Sequence, residues 1–136
     1  MKKILVLTIA MFSLLACSSD DENNLDPIIG TWYLFSENGI EVNDCIKKST
    51  TTFSEDGTYT VSTSYYLSEN NECIPDEGSA DDGAWINRGE GNYSRTPTGE
   101  IIDDETIKTT FSDNNNTMTY SYEDGGETTV YTHKRK

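Results

Sequence analysis

A two-residue rhythm runs through this chain from position 27 to its end. No window of about 11 residues there carries apolar side chains at helical spacing, and β-branched and aromatic residues recur in short runs between turn signals. Strands are expected near 29–37, 47–54, 58–67, 83–87, 92–96, 106–111, 117–122 and 127–134, with a short one at 101–102. Between them stand Asn38-Gly39, Glu55-Asp56-Gly57, a Gly-rich turn at 88–91, Pro97-Thr98-Gly99, Asp103-Asp104-Glu105, the 113–116 turn and Asp124-Gly125-Gly126. Each supplies the turn chemistry that antiparallel hairpins need. Only the 68–82 stretch, acidic and containing Pro75, reads as long and irregular. Single hairpins are marginal in water, so the segments must bury one face together. With no helix to cover a sheet, the stable solutions are a sandwich or a closed barrel. Tight successive turns favour a small antiparallel up-and-down barrel of about eight strands.

The first 26 residues follow another pattern. Lys2 and Lys3 precede an apolar run, residues 4–15, that is shorter than the roughly 20 residues a spanning helix requires. Residues 1–16 therefore read as a signal segment. The run ends in Leu14-Leu15-Ala16-Cys17, which resembles the lipobox of bacterial lipoproteins. In that motif a small residue lets the peptidase close on the bond before the cysteine, and the thiol accepts a diacylglyceryl group. The resemblance implies cleavage before Cys17 and a lipid anchor, and two or more acyl chains hold firmly. Residues 17–26 then read as the lipidated cysteine and an acidic tether, with residues 27–136 as one domain. The opening Ser18-Ser19-Asp20-Asp21-Glu22 resembles the acidic signal that sends some lipoproteins to the outer face of the outer membrane.

Charge narrows the partners. The chain carries 24 acidic against 10 basic residues, and loss of Lys2 and Lys3 with the signal takes its formal charge from −14 to −16. Such a surface repels phosphate backbones and anionic headgroups, which argues against nucleic-acid binding and for a body that depends on its anchor. A monomer is expected. Once Cys17 is spent on lipid, Cys45 and Cys73 remain, and an even pair in an exported protein reads as a disulfide. Closing a loop of 28 residues contributes about 3.5 kcal/mol in the chain-entropy account.

At Gly30-Thr31-Trp32 a recognisable motif appears. A Gly-x-Trp opening the first strand resembles the lipocalin signature, in which the tryptophan packs across one end of the barrel. Thr52-Phe53-Ser54-Glu55-Asp56-Gly57-Thr58-Tyr59 and a second Gly-x-Trp, Gly83-Ala84-Trp85, follow in order. A late Thr110-Phe111-Ser112-Asp113-Asn114-Asn115 and the closing Val130-Tyr131-Thr132-His133-Lys134-Arg135 complete the likeness. Over residues 27–136 the chain is similar to the lipocalin-like domain of bacterial outer-membrane lipoproteins. That resemblance implies a barrel holding a small hydrophobic or amphipathic ligand, with Trp32, Tyr59, Val61, Trp85 and Phe111 as interior residues near the cavity or its floor. An eight-stranded barrel sits at the limit where side chains fill the interior or leave room for one small ligand.

Catalytic patterns are thin, and no enzyme is expected. His133, the single histidine, reads as a surface strand residue beside Lys134. No partner for a general base is evident, Gly89-Glu90-Gly91 lacks a nucleotide loop's third glycine, and Asp81-Asp82 reads as solvated turn charge. No cofactor or metal is expected, although the 76–82 run offers hard oxygen ligands of the kind calcium takes. Tyrosine, eight in number, suits a cavity wall or a sugar-facing surface because it presents a flat apolar face and a hydroxyl. The alternative to a ligand carrier is a cell-surface interaction module with a filled core, meeting a protein or glycan through its outer surface or the acidic 68–82 segment.

Overall fold

The computed structural model describes residues 25–100 and 106–136. Cys17, the signal segment, the 101–102 strand and the Asp103-Asp104-Glu105 turn lie outside the described residues. The described chain forms eleven strands: β1 (Gly30–Glu37), β2 (Ile40–Glu41), β3 (Thr50–Phe53), β4 (Thr58–Val61), β5 (Ser64–Leu67), β6 (Cys73–Asp76), β7 (Asp81–Gly89), β8 (Asn92–Pro97), β9 (Ile107–Ser112), β10 (Thr117–Asp124) and β11 (Glu127–Arg135).

Eight of them close on themselves. The order β1-β3-β4-β7-β8-β9-β10-β11 follows the chain, every pairing is antiparallel, and β11 returns to β1 with Trp32 opposite Arg135. The fold is therefore all-β, an up-and-down barrel, as the turn spacing predicts. Two-residue turns fix the register of two of its hairpins. Glu90-Gly91 between β7 and β8 and Gly125-Gly126 between β10 and β11 have positive φ at both positions, the geometry whose twist matches the flanking strands, and Asn38-Gly39 turns β1 into the added strand β2 in the same way.

Two excursions leave the barrel, and both depart from the sequence reading. The expected 47–54 strand begins later, because residues Ile46–Lys48 form a 3-10 turn after Cys45. The expected 58–67 strand breaks after Val61, and β5 pairs with β6 in a separate hairpin that projects from the 62–80 connection. The 68–82 stretch is thus partly strand, and Asp81-Asp82 opens β7 instead of occupying a turn. The Cys45–Cys73 disulfide forms, with Cα atoms 5.4 Å apart, and ties this hairpin to the loop before β3. Ser49 Oγ also accepts the Tyr65 amide at 3.0 Å.

One end of the barrel is packed shut. Six aromatics pass contact along an arc: Trp32, Phe111, Tyr93, Trp85, Phe53 and Tyr59, with successive ring centroids 6.1–6.2 Å apart. Below them the chain before β1 crosses the opening as a plug. Ile28 is buried, its carbonyl accepts the Trp32 indole N–H at 2.7 Å, and Asp26 Oδ1 accepts the Tyr93 hydroxyl at 2.7 Å. Asp26, read as the last tether residue, is therefore bonded into the domain. Arg135 seals the plug from outside. Its guanidinium lies 4.4 Å from the Trp32 ring and donates to the carbonyls of Ile29 (2.6 Å), Pro27 (3.0 Å) and Asn115 (3.0 Å). The second Gly-x-Trp has its own cause: a Cβ on Gly83 would collide with the Thr96 backbone carbonyl, so β7 and β8 approach closely only because that position is bare.

Candidate functional site

The other end stays open. Above the aromatic floor a cleft of about 640 Å³ occupies the barrel mouth, within the range of small-molecule sites. Alternation along the strands supplies its walls: Tyr59 and Val61 from β4, Arg95 and Pro97 from β8, Tyr120 and Tyr122 from β10, and Tyr131 from β11. Beneath it, a smaller cavity of about 50 Å³ reaches down to Phe53, Tyr93 and Met118. Arg95, Ile107, Thr51 and Tyr120 line both, so they form the shelf between mouth and floor.

The five expected interior residues are all inside the barrel, at two levels. Tyr59 and Val61 line the cleft, whereas Trp32, Trp85 and Phe111 belong to the floor beneath it and do not line it. Four of the eight tyrosines reach the cleft wall. Tyr93 belongs to the floor, and Tyr66 stands exposed on the β5–β6 hairpin.

His133 corrects the sequence reading. It is not a surface residue: its ring stacks on Tyr120 with centroids 5.4 Å apart, and it lines the inner cavity. Its Nδ1 is buried and has no hydrogen-bond partner among the described residues. Burial and the positive charge of Arg95 together press its pKa down to about 4, so the imidazole is neutral at physiological pH. The signal for its position lay in the period: His133 shares a face with Tyr131, and Met118 and Tyr120 stand opposite them on β10.

Arg95 is the second residue the sequence reading missed. It sits on the Tyr93 and Pro97 face of β8 and places its guanidinium carbon 5.5 Å from the Tyr59 ring centroid. Among the described residues no carboxylate comes within ion-pair distance of it; the ion pairs found, both to Lys47, lie elsewhere. Asp81, which also lines the cleft, accepts the Tyr59 hydroxyl at 3.0 Å. Desolvation and that carboxylate raise the Tyr59 pKa to about 12, so the phenol remains a donor. Asp82 points to the opposite face, where it accepts the Thr98 hydroxyl at 2.8 Å. The 76–82 carboxylates therefore do not converge, and no group of three or more metal-ligating side chains is found among the described residues.

Chemically the site can bind. It has flat apolar walls, hydroxyl donors and one cation, with a neutral imidazole in the inner cavity above an aromatic base. No protein-family model matches the chain, and a search of curated proteins found no match.

Proposed function

We propose that this protein is a lipid-anchored, non-enzymatic barrel of the bacterial outer membrane that holds a small amphipathic molecule in its mouth. The observation that carries the reading is the cleft of about 640 Å³ standing open above a plugged aromatic floor. A barrel built only as a scaffold gains by filling its interior, since unfilled space forfeits dispersion contacts. Here packing is complete at one end and stops abruptly at the other. Mixed walls of tyrosine rings and aliphatic side chains suit a ligand with both an apolar body and polar atoms. The anchor at Cys17 and the outer-membrane location rest on the Leu14-Leu15-Ala16-Cys17 motif and the acidic run after it.

The test is saturable binding of a neutral fluorescent amphiphile such as N-phenyl-1-naphthylamine to the mature protein, repeated with Val61→Trp. A tryptophan at this half-buried wall position intrudes into the mouth and narrows it from above the floor. Saturable binding in the native protein, lost in the variant with its melting temperature unchanged, is the expected outcome. Fluorescence that never saturates, or that is the same in both proteins, sinks the reading.

One observation favours a second reading, an interaction module. Tyr66 and Leu67 stand 51% and 42% exposed on the hairpin beside the mouth, an apolar pair that nothing among the described residues covers. A glycan or protein partner on that hairpin would bind equally well to Val61→Trp.

A further inference from the structure

We propose that the mouth takes its ligand head first, with a carboxylate set on Arg95 at the shelf and a planar apolar body held between the tyrosines above. The inference rests on the reading of the mouth as a binding site and specifies what enters it: a small monocarboxylic acid.

Four observations converge. The first is the position of Arg95. It lines both the cleft and the inner cavity while staying exposed to the mouth, so a molecule filling the mouth meets an accessible guanidinium where the two spaces join. Among the described residues this cation has no ion pair, although Asp81 lies on the same wall. Asp81 is engaged by Tyr59 instead. Arginine presents a planar fork that matches a carboxylate with two parallel bonds, and the stack on Tyr59 presets its plane.

The second observation is His133. Its buried Nδ1 has no partner among the described residues, and an unmet buried polar atom costs free energy until something satisfies it. A carboxylate on the shelf offers a second oxygen for an Nδ1–H donor, because the neutral ring is free to carry its proton on either nitrogen. The third is the apolar base. Phe53, Tyr93 and Met118 line the inner cavity beneath the shelf, and a charge-assisted bond is stronger beside a low-dielectric surface than in open water.

The fourth is the charge pattern along the wall, which narrows the ligand further. Asp81 and Arg95 flank one tyrosine, Asp81 at the Tyr59 hydroxyl and Arg95 over its ring, with Asp81 nearer the end of β7. Glu100 lines the outer cleft as well. A second anionic group on the exposed end of the ligand would meet these carboxylates. A dianion is therefore disfavoured, and so is an ammonium head, which would press against Arg95.

The experiment compares 2-naphthoate with its neutral isostere 2-naphthamide by calorimetry on the full mature chain, native and Arg95→Met. The native protein should bind the carboxylate roughly ten- to a hundredfold more tightly than the amide, the factor a charge-assisted hydrogen bond supplies. Arg95→Met should erase the carboxylate's advantage, leaving naphthoate no tighter than the amide, with the circular dichroism melt confirming the fold. The proton resonances of His133, the single histidine, give an independent readout. Bound naphthoate should raise its titration midpoint by offsetting the Arg95 charge, and naphthamide should not. Equal affinities for the two probes, or naphthoate binding indifferent to Arg95→Met, overturn the carboxylate assignment and leave the binding mouth standing. Preference for 2-naphthylmethylammonium over naphthoate overturns it in favour of the acidic rim. If neither naphthyl probe nor the neutral amphiphile binds, the mouth itself is not a site.

Discussion

Replacing Arg135 by alanine should unlatch the closed end of the barrel. The guanidinium holds three separate segments: the plug through Pro27 and Ile29, the floor through the face of Trp32, and the β9–β10 loop through Asn115. The two plug carbonyls are partly buried, and each charge-assisted bond to them contributes about 1 kcal/mol net; the exposed Asn115 contact is assigned nothing, because water replaces it. The cation stacked on Trp32 adds about 1 kcal/mol. The loss is then about 3 kcal/mol, or about 12 °C in melting temperature for a domain of this size. Urea unfolding followed by tryptophan fluorescence measures it, since Trp32 is fully buried beneath the guanidinium. Arg135→Lys keeps the charge without the fork and should recover less than half. Gly30 supplies an internal control, because a Cβ there would collide with the Arg135 guanidinium. Gly30→Ala should therefore cost less in the Arg135→Ala background than in the native one, leaving mainly the penalty of its φ of +133°. A loss below 1 kcal/mol in Arg135→Ala, full rescue by lysine, or strict additivity with Gly30→Ala would refute the latch.

Two other outcomes follow from the same geometry. Replacing Cys45 and Cys73 together by serine should lower stability by up to about 3.5 kcal/mol; hydrogen exchange should show the loss first in β5 and β6, and uniform exchange across the barrel would contradict their placement outside it. His133 should make the fold acid-sensitive: its folded pKa of about 4 lies below the unfolded 6.5, so the unfolded state binds the proton first and stability falls as pH drops through that window. By pH 5 the loss is about 2 kcal/mol relative to pH 8, and denaturation of His133→Phe at the two pH values should lack that part of the decline.

Local chemistry had already written much of the fold into the chain. Asn38-Gly39 and Gly125-Gly126 adopt the left-handed turn geometry their side chains permit, whatever surrounds them. Parity among the cysteines pointed to Cys45–Cys73, and the large apolar side chains Trp32, Trp85 and Phe111 had no stable place but the interior. The two residues on which the proposed binding turns were hidden by the habits of their types. Alternation puts Arg95 on the Tyr93 face and His133 on the Tyr131 face, yet a charge on a strand ordinarily points to water, and period alone does not say which face that is. Closure of β11 onto β1 turned those faces inward. Tertiary structure also recruited Asp26 into the plug, through a hydrogen bond to Tyr93 across 67 residues of chain. The cleft belongs to no segment: its volume is what remains when eight strands, staggered by their turns, pack aromatics across one end and leave the other uncovered. Sequence decided which side chains share a face, and the closing of the cylinder decided which face encloses the space.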